Sequence, residues 1–268
     1  MLSAPGRLVD YHVHSRYSID GRSSVDEMCR QAIKLGLAEI GFCEHVDFQP
    51  QDPGVGFLDY EKYSEGLDHA RSQYGGKLTI RKGAELDFSP MYLRQIREWL
   101  DGKAFDFLMG SVHYVDDIAV DLGNGLKMRP EMAIRKYYLW ISEAAKSRLF
   151  NVIGHLDLIR REVPSGQDPI APAQDVIDSM FSQMVRDGVY LEINSRRRTD
   201  QEPFPCKKLM QQFLKCGGEL FSFGSDAHSS QHIAAGVPQA MNLLRSLEPK
   251  TVRVLFQRDD QGNEWAEI

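Results

Sequence analysis

Short apolar runs that each end in a histidine or a carboxylate recur along the whole chain, and this repetition constrains the fold more than any other feature. They read VDYHVH (His12, His14), IGFCEH (His45), IRKGAE (Glu85), LMGSVH (His113), NVIGH (His155) and FSFGSDAH (Asp226, His228). Six of the eight histidines belong to the series. Histidines kept for solubility or packing scatter over helices and loops instead of following apolar runs. One site at the end of a sheet or barrel explains every placement at once, because strand ends converge in such folds.

The segments between these runs carry helix signals. Ser24 with Glu27 three residues on is a capping-box pattern, and Gly36 closes the helix it opens. Further helices are expected near Asp59 to Gln73, from Ser89 and Pro90 to about Asp101, after Pro130, from about Pro172 to Arg186, and over PFPCKKLMQQFLKCGG. With strands at LVDYH, EIGF, LTIRKGAEL, FDFLMGSVH, NVIGH, VYLEIN and ELFSFGSDAH, the chain reads as seven βα units in a row. That succession favours an α/β fold with a parallel sheet or closed barrel.

At 268 residues and 42% hydrophobic, the chain can bury a large core, and no linker-like stretch divides it, so residues 1–268 are read as one domain. The net charge is -6, with both signs interspersed apart from the run Arg196, Arg197, Arg198. A broad nucleic-acid-binding surface is not expected from that balance. Cys29, Cys43, Cys206 and Cys216 form no CxxC pair or disulfide framework, and MLSAPGRLVDYHVH holds no apolar signal stretch. A reducing cytoplasm is the expected setting. Apolar runs fall short of the roughly 18 residues of a membrane span, so no membrane partner is expected.

The motifs explain why these residue types suit metal. Residues two apart on a strand face the same side, so the imidazoles of HxH can grip one ion. Glu85 offers two oxygens that can bridge two cations. His113 and His155 follow glycine-containing strand ends, where backbone can approach a ligand closely. GSDAH sets a carboxylate and an imidazole two apart after a buried strand. His69 and His232 match no such position.

DYHVHSRYSIDG, GFCEHVDF, GAELDF, GSVHYVD, GHLDLIRR, LEINS and GSDAH, occurring in that order from about residue 8 to 236, resemble the PHP (polymerase and histidinol phosphatase) superfamily. More narrowly the chain resembles its monofunctional histidinol-phosphate phosphatases. The resemblance implies a distorted (β/α)7 TIM-like barrel with a trinuclear metal centre. It implies a first metal held by His12, His14, Glu85 and Asp226, a second by bridging Glu85 with His113 and His155, and a third by Asp20, His45 and His228. Imidazole-rich sites suit zinc, iron or manganese, so two to three such ions are expected. The phosphatases usually carry a single arginine after LEIN, whereas this chain reads NSRRRTD, which leaves open which of Arg196, Arg197 and Arg198 faces the site; spacing favours Arg197 for phosphate. Arg160 and Arg161 are the other candidates, since guanidinium forks match a phosphate dianion.

The expected chemistry is hydrolysis of a small phosphomonoester, L-histidinol phosphate, by a hydroxide bridging two cations ~3.5–4 Å apart. Glu85 would organise the metals, and Asp226 or His228 would relay a proton to the leaving group. Another phosphomonoester, a nucleotide or an oligonucleotide is the alternative substrate. A catalytically dead module would have lost ligands, and none is missing.

Overall fold

The computed structural model describes residues 7–116, 118–120, 128–196 and 202–256. In chain order its elements are β1 (Val9–Val13), α1 (Val25–Leu35), β2 (Glu39–Val46), α2 (Tyr60–Tyr74), β3 (Thr79–Asp87), α3 (Leu93–Leu100), β4 (Phe107–Ser111), β5 (Tyr114–Val115) and β6 (Ile118–Ala119). Then come α4 (Pro130–Lys146), β7 (Val152–Ile153), α5 (Gln174–Asp187), β8 (Tyr190–Asn194), α6 (Lys207–Lys215), β9 (Leu220–Gly224), α7 (Val237–Arg245) and β10 (Arg253–Val254). Eight strands form one sheet in the order β1-β2-β3-β4-β7-β8-β9-β10, every neighbour parallel. Its first seven strands are the seven expected from the sequence. β10, the β5–β6 hairpin and α7 were not.

The α/β sheet curls into a distorted TIM-like barrel, and the distortion has a visible cause. β9 splits its pairing between two partners. Its start pairs with β10, Leu220 opposite Arg253. The chain just beyond its end turns to β1, where the His14 amide donates to the Ala227 carbonyl at 2.8 Å and the Asp226 amide to the His12 carbonyl at 2.7 Å. The sheet therefore meets itself at the end where the histidines lie.

Local signals set the helices where patterning placed them. Ser24 and Glu27 cap α1 reciprocally, and Gly36 ends it with φ 75°, a left-handed conformation that glycine adopts without steric cost. The Ser89–Pro90 start gives a short 3-10 turn that runs into α3.

Alternation along the strands divides apolar from polar side chains. On β1, Val9, Tyr11 and Val13 belong to the apolar core, while Asp10 and His12 are buried on the other face. On β8, Leu191 and Ile193 alternate with buried Glu192 and Asn194. Barrels of this kind usually fill their centre with branched apolar residues. Here that centre is polar, and each charge needs a partner.

Asp10 shows how one such charge is met. The Ser225 amide (2.9 Å) and hydroxyl (2.5 Å) and the Ala234 amide (2.8 Å) donate to it. Burial still pushes its carboxyl up to about 6 despite these bonds. The bonds tie β1 to the segment after β9.

Close approach across the same seam depends on Gly224. A Cβ there would lie 2.3 Å from the His12 Cβ and 2.5 Å from Glu192 Oε1. Gly224→Ala is expected to lower unfolding free energy by about 1–3 kcal/mol, the usual cost of overpacking. Denaturant titration checks this, and an unchanged midpoint would mean that the seam yields freely.

Candidate metal centre

Glu85, at the end of β3, is the hub. Its carboxylate is buried and five imidazole nitrogens surround it. Oε2 lies 3.2 Å from His12 Nε2, 3.5 Å from His14 Nε2 and 3.1 Å from His45 Nδ1. Oε1 lies 2.8 Å from His155 Nε2 and 3.4 Å from His113 Nε2, and accepts from the Ser111 hydroxyl at 2.6 Å. A carboxylate has about four lone-pair sites, fewer than these neighbours need. His14 Nε2 is buried without a hydrogen bond, and buried His45 Nδ1 and His228 Nε2 face only the carboxylate oxygens of Glu85 and Asp20. Buried ring nitrogens left over around a shared carboxylate fit metal cations as the missing partners.

The second carboxylate, Asp226, follows β9. Its backbone has φ 54°, a region that Asp visits more readily than most side-chain-bearing residues. Its Oδ1 lies 3.6 Å from His14 Nε2, 3.4 Å from His228 Nδ1 and 2.8 Å from the Arg196 guanidinium. Half-exposed Asp20 reaches over from the loop after β1, with Oδ2 2.7 Å from His228 Nε2 and Oδ1 3.7 Å from His45 Nε2.

Ligand-type atoms gather in four overlapping groups: His12, His14 and Asp226; Glu85, His113 and His155; His14, His45 and His228; and His45, Asp47 and His113. The first two correspond to the first two sets expected from the resemblance, Glu85 adjoining both. In the third, His14 joins His45 and His228, with Asp20 at its edge. Asp47 had no assigned role in the sequence reading.

The charges answer one another. Burial favours protonating Glu85, but the imidazoles of His12 and His113 outweigh it and hold the carboxyl well below its usual range. Burial likewise opposes ionisation of Asp226, and Arg196, then His12 and His228, overcome it. His14 is driven well below the ordinary histidine value by burial and by neighbouring His45 and His228. A neutral imidazole keeps the lone pair that a metal requires. His12 is pushed well above its ordinary value because Glu192 and Glu85 outweigh burial. A divalent cation at its Nε2 would take over the charge that a second ring proton otherwise supplies.

Residues behind the ligands fix their orientation. Glu192, on β8, lies 2.6 Å from His12 Nδ1 and accepts the His155 backbone amide at 2.6 Å, so one buried carboxylate braces the His12 imidazole and the backbone that carries His155. Asp87, two residues beyond Glu85, accepts the His113 amide at 2.8 Å. Neither had been singled out from the sequence, although LEIN and GAELDF had. Period-two alternation, applied to Glu192 and to Glu85 with Asp87, was the usable signal.

The arginine candidates separate clearly. Arg161 and Arg196 line a cavity of about 280 Å³ that also touches Asp20, His45, Glu85, His113, His155 and Asp226. Arg160 is not among the lining residues. It donates to the Glu202 and Pro203 carbonyls, at 3.3 and 2.9 Å, and stacks over Phe204. Arg197, favoured by spacing, and Arg198 lie outside the described residues. Among those described, no helix is long and apolar enough to cross a membrane.

Comparison with known proteins agrees with this geometry. The family model for the PHP domain matches residues 10–196, well over half of the chain. The chain belongs to the PHP family. It is 29% identical over 245 residues to a histidinol-phosphatase of Lactococcus lactis, covering 88% of this chain and 90% of that one. It is 25% identical over 242 residues to a probable histidinol-phosphatase of Thermotoga maritima, covering 89% and 91%. The crystal structure of the L. lactis histidinol phosphate phosphatase complexed with zinc, L-histidinol and phosphate superposes with a TM-score of 0.79. Identity there is 28%, over 92% of this chain and 95% of that one.

Glu192→Gln keeps the shape but removes the charge that orients the His12 imidazole. Loss of such a partner typically costs about 10–100-fold in metal affinity, and that is the expected result in a competition titration with a chromophoric chelator. Wild-type affinity would mean that the carboxylate is only a packing element.

Proposed function

We propose that this PHP-family protein is a metal-dependent phosphomonoesterase that hydrolyses L-histidinol phosphate to L-histidinol and phosphate. The observation that carries the reading is the buried Glu85 with five imidazole nitrogens around it, in a fold shared along most of its length with a zinc-binding protein complexed with L-histidinol and phosphate.

The donor set fits two to three zinc, iron or manganese ions better than calcium. His12, His14 and Asp226 would hold one, Glu85 with His113 and His155 another, and His45 with His228 and Asp20 a third. When bound, such cations polarise phosphoryl oxygens and supply hydroxide at neutral pH.

The protein's own groups do the rest. Arg161 and Arg196 present guanidinium donors to the cavity and offset the charge of a phosphate dianion. Arg196 also keeps Asp226 ionised, the form in which a carboxylate can hold a cation. His228 Nδ1 lies 3.0 Å from the Asp226 carbonyl, which favours the tautomer with its proton there and leaves Nε2 facing Asp20. Of the groups at the reacting end, Asp226 and His228 are the two assigned to relay a proton to the leaving group. Ile19 and Leu158 add apolar wall that limits water.

Purified protein should hold about two to three equivalents of transition metal. Elemental analysis finding under one equivalent in active protein, or activity indifferent to prolonged chelation, would count against the centre. Glu85→Gln should lose metal and at least about a hundredfold in kcat. Exposed His69 serves as control, and a similar loss in His69→Ala would undo the site assignment.

L-Histidinol phosphate should be cleaved with kcat/KM at least about tenfold above p-nitrophenyl phosphate. Steady-state phosphate release across a panel of esters decides it. Cleavage of nucleotides or a phosphodiester with histidinol phosphate ignored would move the substrate elsewhere while keeping the metal centre.

A further inference from the structure

Glu44 precedes His45 on β2 and is fully buried, yet it stands outside the four groups of ligand-type atoms. Successive residues of a strand point to opposite faces. The Glu44 carboxylate accordingly turns away from Glu85 and meets the loop after β1. There the Ser15 amide donates to both of its oxygens at 3.1 Å, the Ser15 hydroxyl to Oε1 at 2.6 Å and the Ser18 hydroxyl to Oε2 at 2.5 Å. The loop held in this way is the one that carries Asp20. The Ser18 amide closes a turn on the Ser15 carbonyl at 3.0 Å, and the Gly21 amide closes the next on the Ser18 carbonyl at 3.1 Å.

Ser18 connects this carboxylate to a metal ligand. A hydroxyl has one proton to donate and two lone pairs with which to accept. The Ser18 proton goes to Glu44, because a carboxylate accepts and that contact is far shorter than the one to His14. One lone pair takes the His45 amide at 2.9 Å. The other faces His14 Nδ1 at 3.3 Å, so that nitrogen is the one that carries the proton. A neutral imidazole has a single ring proton, and with it on Nδ1 the free lone pair is on Nε2. Nε2 is the atom buried without a hydrogen bond, 3.5 Å from Glu85 and 3.6 Å from Asp226.

We propose that Glu44 is a positioning residue of the metal centre: through Ser18 it fixes the His14 tautomer that turns a lone pair to the cation, and through Ser15 and Ser18 it anchors the loop that brings Asp20. The inference rests on the metal-dependent reading of the site and deepens it. Glu192 braces His12 by direct contact, whereas Glu44 works one hydroxyl further out. The ion held by Glu85, His113 and His155 lies outside the reach of this relay.

The test follows the imidazole nitrogens of zinc-loaded protein by long-range proton–nitrogen correlation spectra, with zinc affinity measured by chelator competition, in wild type, Ser18→Ala, Glu44→Gln and the double variant. Wild type should show His14 protonated at Nδ1. In each single variant zinc at His14 should be held about 10–100-fold less tightly, while the His113 and His155 signals keep their zinc-bound positions. General unfolding would move all of these signals together. Ser18→Ala removes only a hydroxyl, so it decides the matter where the buried Glu44→Gln change prevents folding. Because the carboxylate acts on His14 through the serine, the double variant should be no more than about twofold worse than Glu44→Gln alone. A wild-type His14 protonated at Nε2, undiminished zinc affinity in either folded single variant, or fully additive losses in the double variant would each overturn the proposal. A protein that binds no zinc, yet shows the Nδ1 proton in wild type and loses it in Ser18→Ala, would uphold the relay and remove the metal reading.

Discussion

An ionised carboxylate sealed inside a protein costs several kcal/mol unless positive charge surrounds it, and Glu85 is sealed. Everything around it answers that requirement. Five imidazole nitrogens lie within 3.5 Å, more than its oxygens can satisfy by hydrogen bonding. A second proton on His12 can supply part of the missing charge, but divalent cations supply it more compactly and use the neutral lone pair of His14. The polar barrel centre is therefore best understood as a structure completed by metal, and apolar side chains would fill the space without this penalty.

The same demand reaches into the backbone. To crowd the ligands together, β1 and the end of β9 must meet, and they do so through the His14 and Asp226 amides. Asp10 pins that seam from below with three hydrogen bonds, and Gly224 leaves the room that His12 and Glu192 occupy. β10 pairs with the other end of β9, so the barrel is distorted where one strand serves two neighbours. Closure and ligand geometry are thus one problem, and a change at the seam should be felt at the imidazoles.

Residues that obey a period were legible in the sequence. His12, His45, Glu85, His113 and His155 sit at or just past strand ends, so the pattern of apolar runs points to their common end. β10 and the β5–β6 hairpin are two residues per strand, too short to carry a period. Glu192 and Asp87 obeyed the alternation of their strands, yet their partners come from other strands, which sequence spacing does not encode. Arg160 and Arg161 look equivalent in a run of letters. Only the fold shows one of them spent on the carbonyls of Glu202 and Pro203 and the other lining the cavity.

That contrast points to a division of labour in the molecule. The metal-ligand side chains project from strand ends or from turns tied to them by backbone hydrogen bonds, a rigid setting that fixes the chemistry. The guanidinium groups that would meet a substrate phosphate, Arg161 and Arg196, stand in the segments beyond the strand ends, where a change costs the barrel less. Because the two sets come from different layers, substrate preference can drift within such a family while the imidazole cluster stays as it is. The extent of likeness to the L. lactis protein bears on both layers, but the ligands inform reaction class and the loop charges inform choice of substrate.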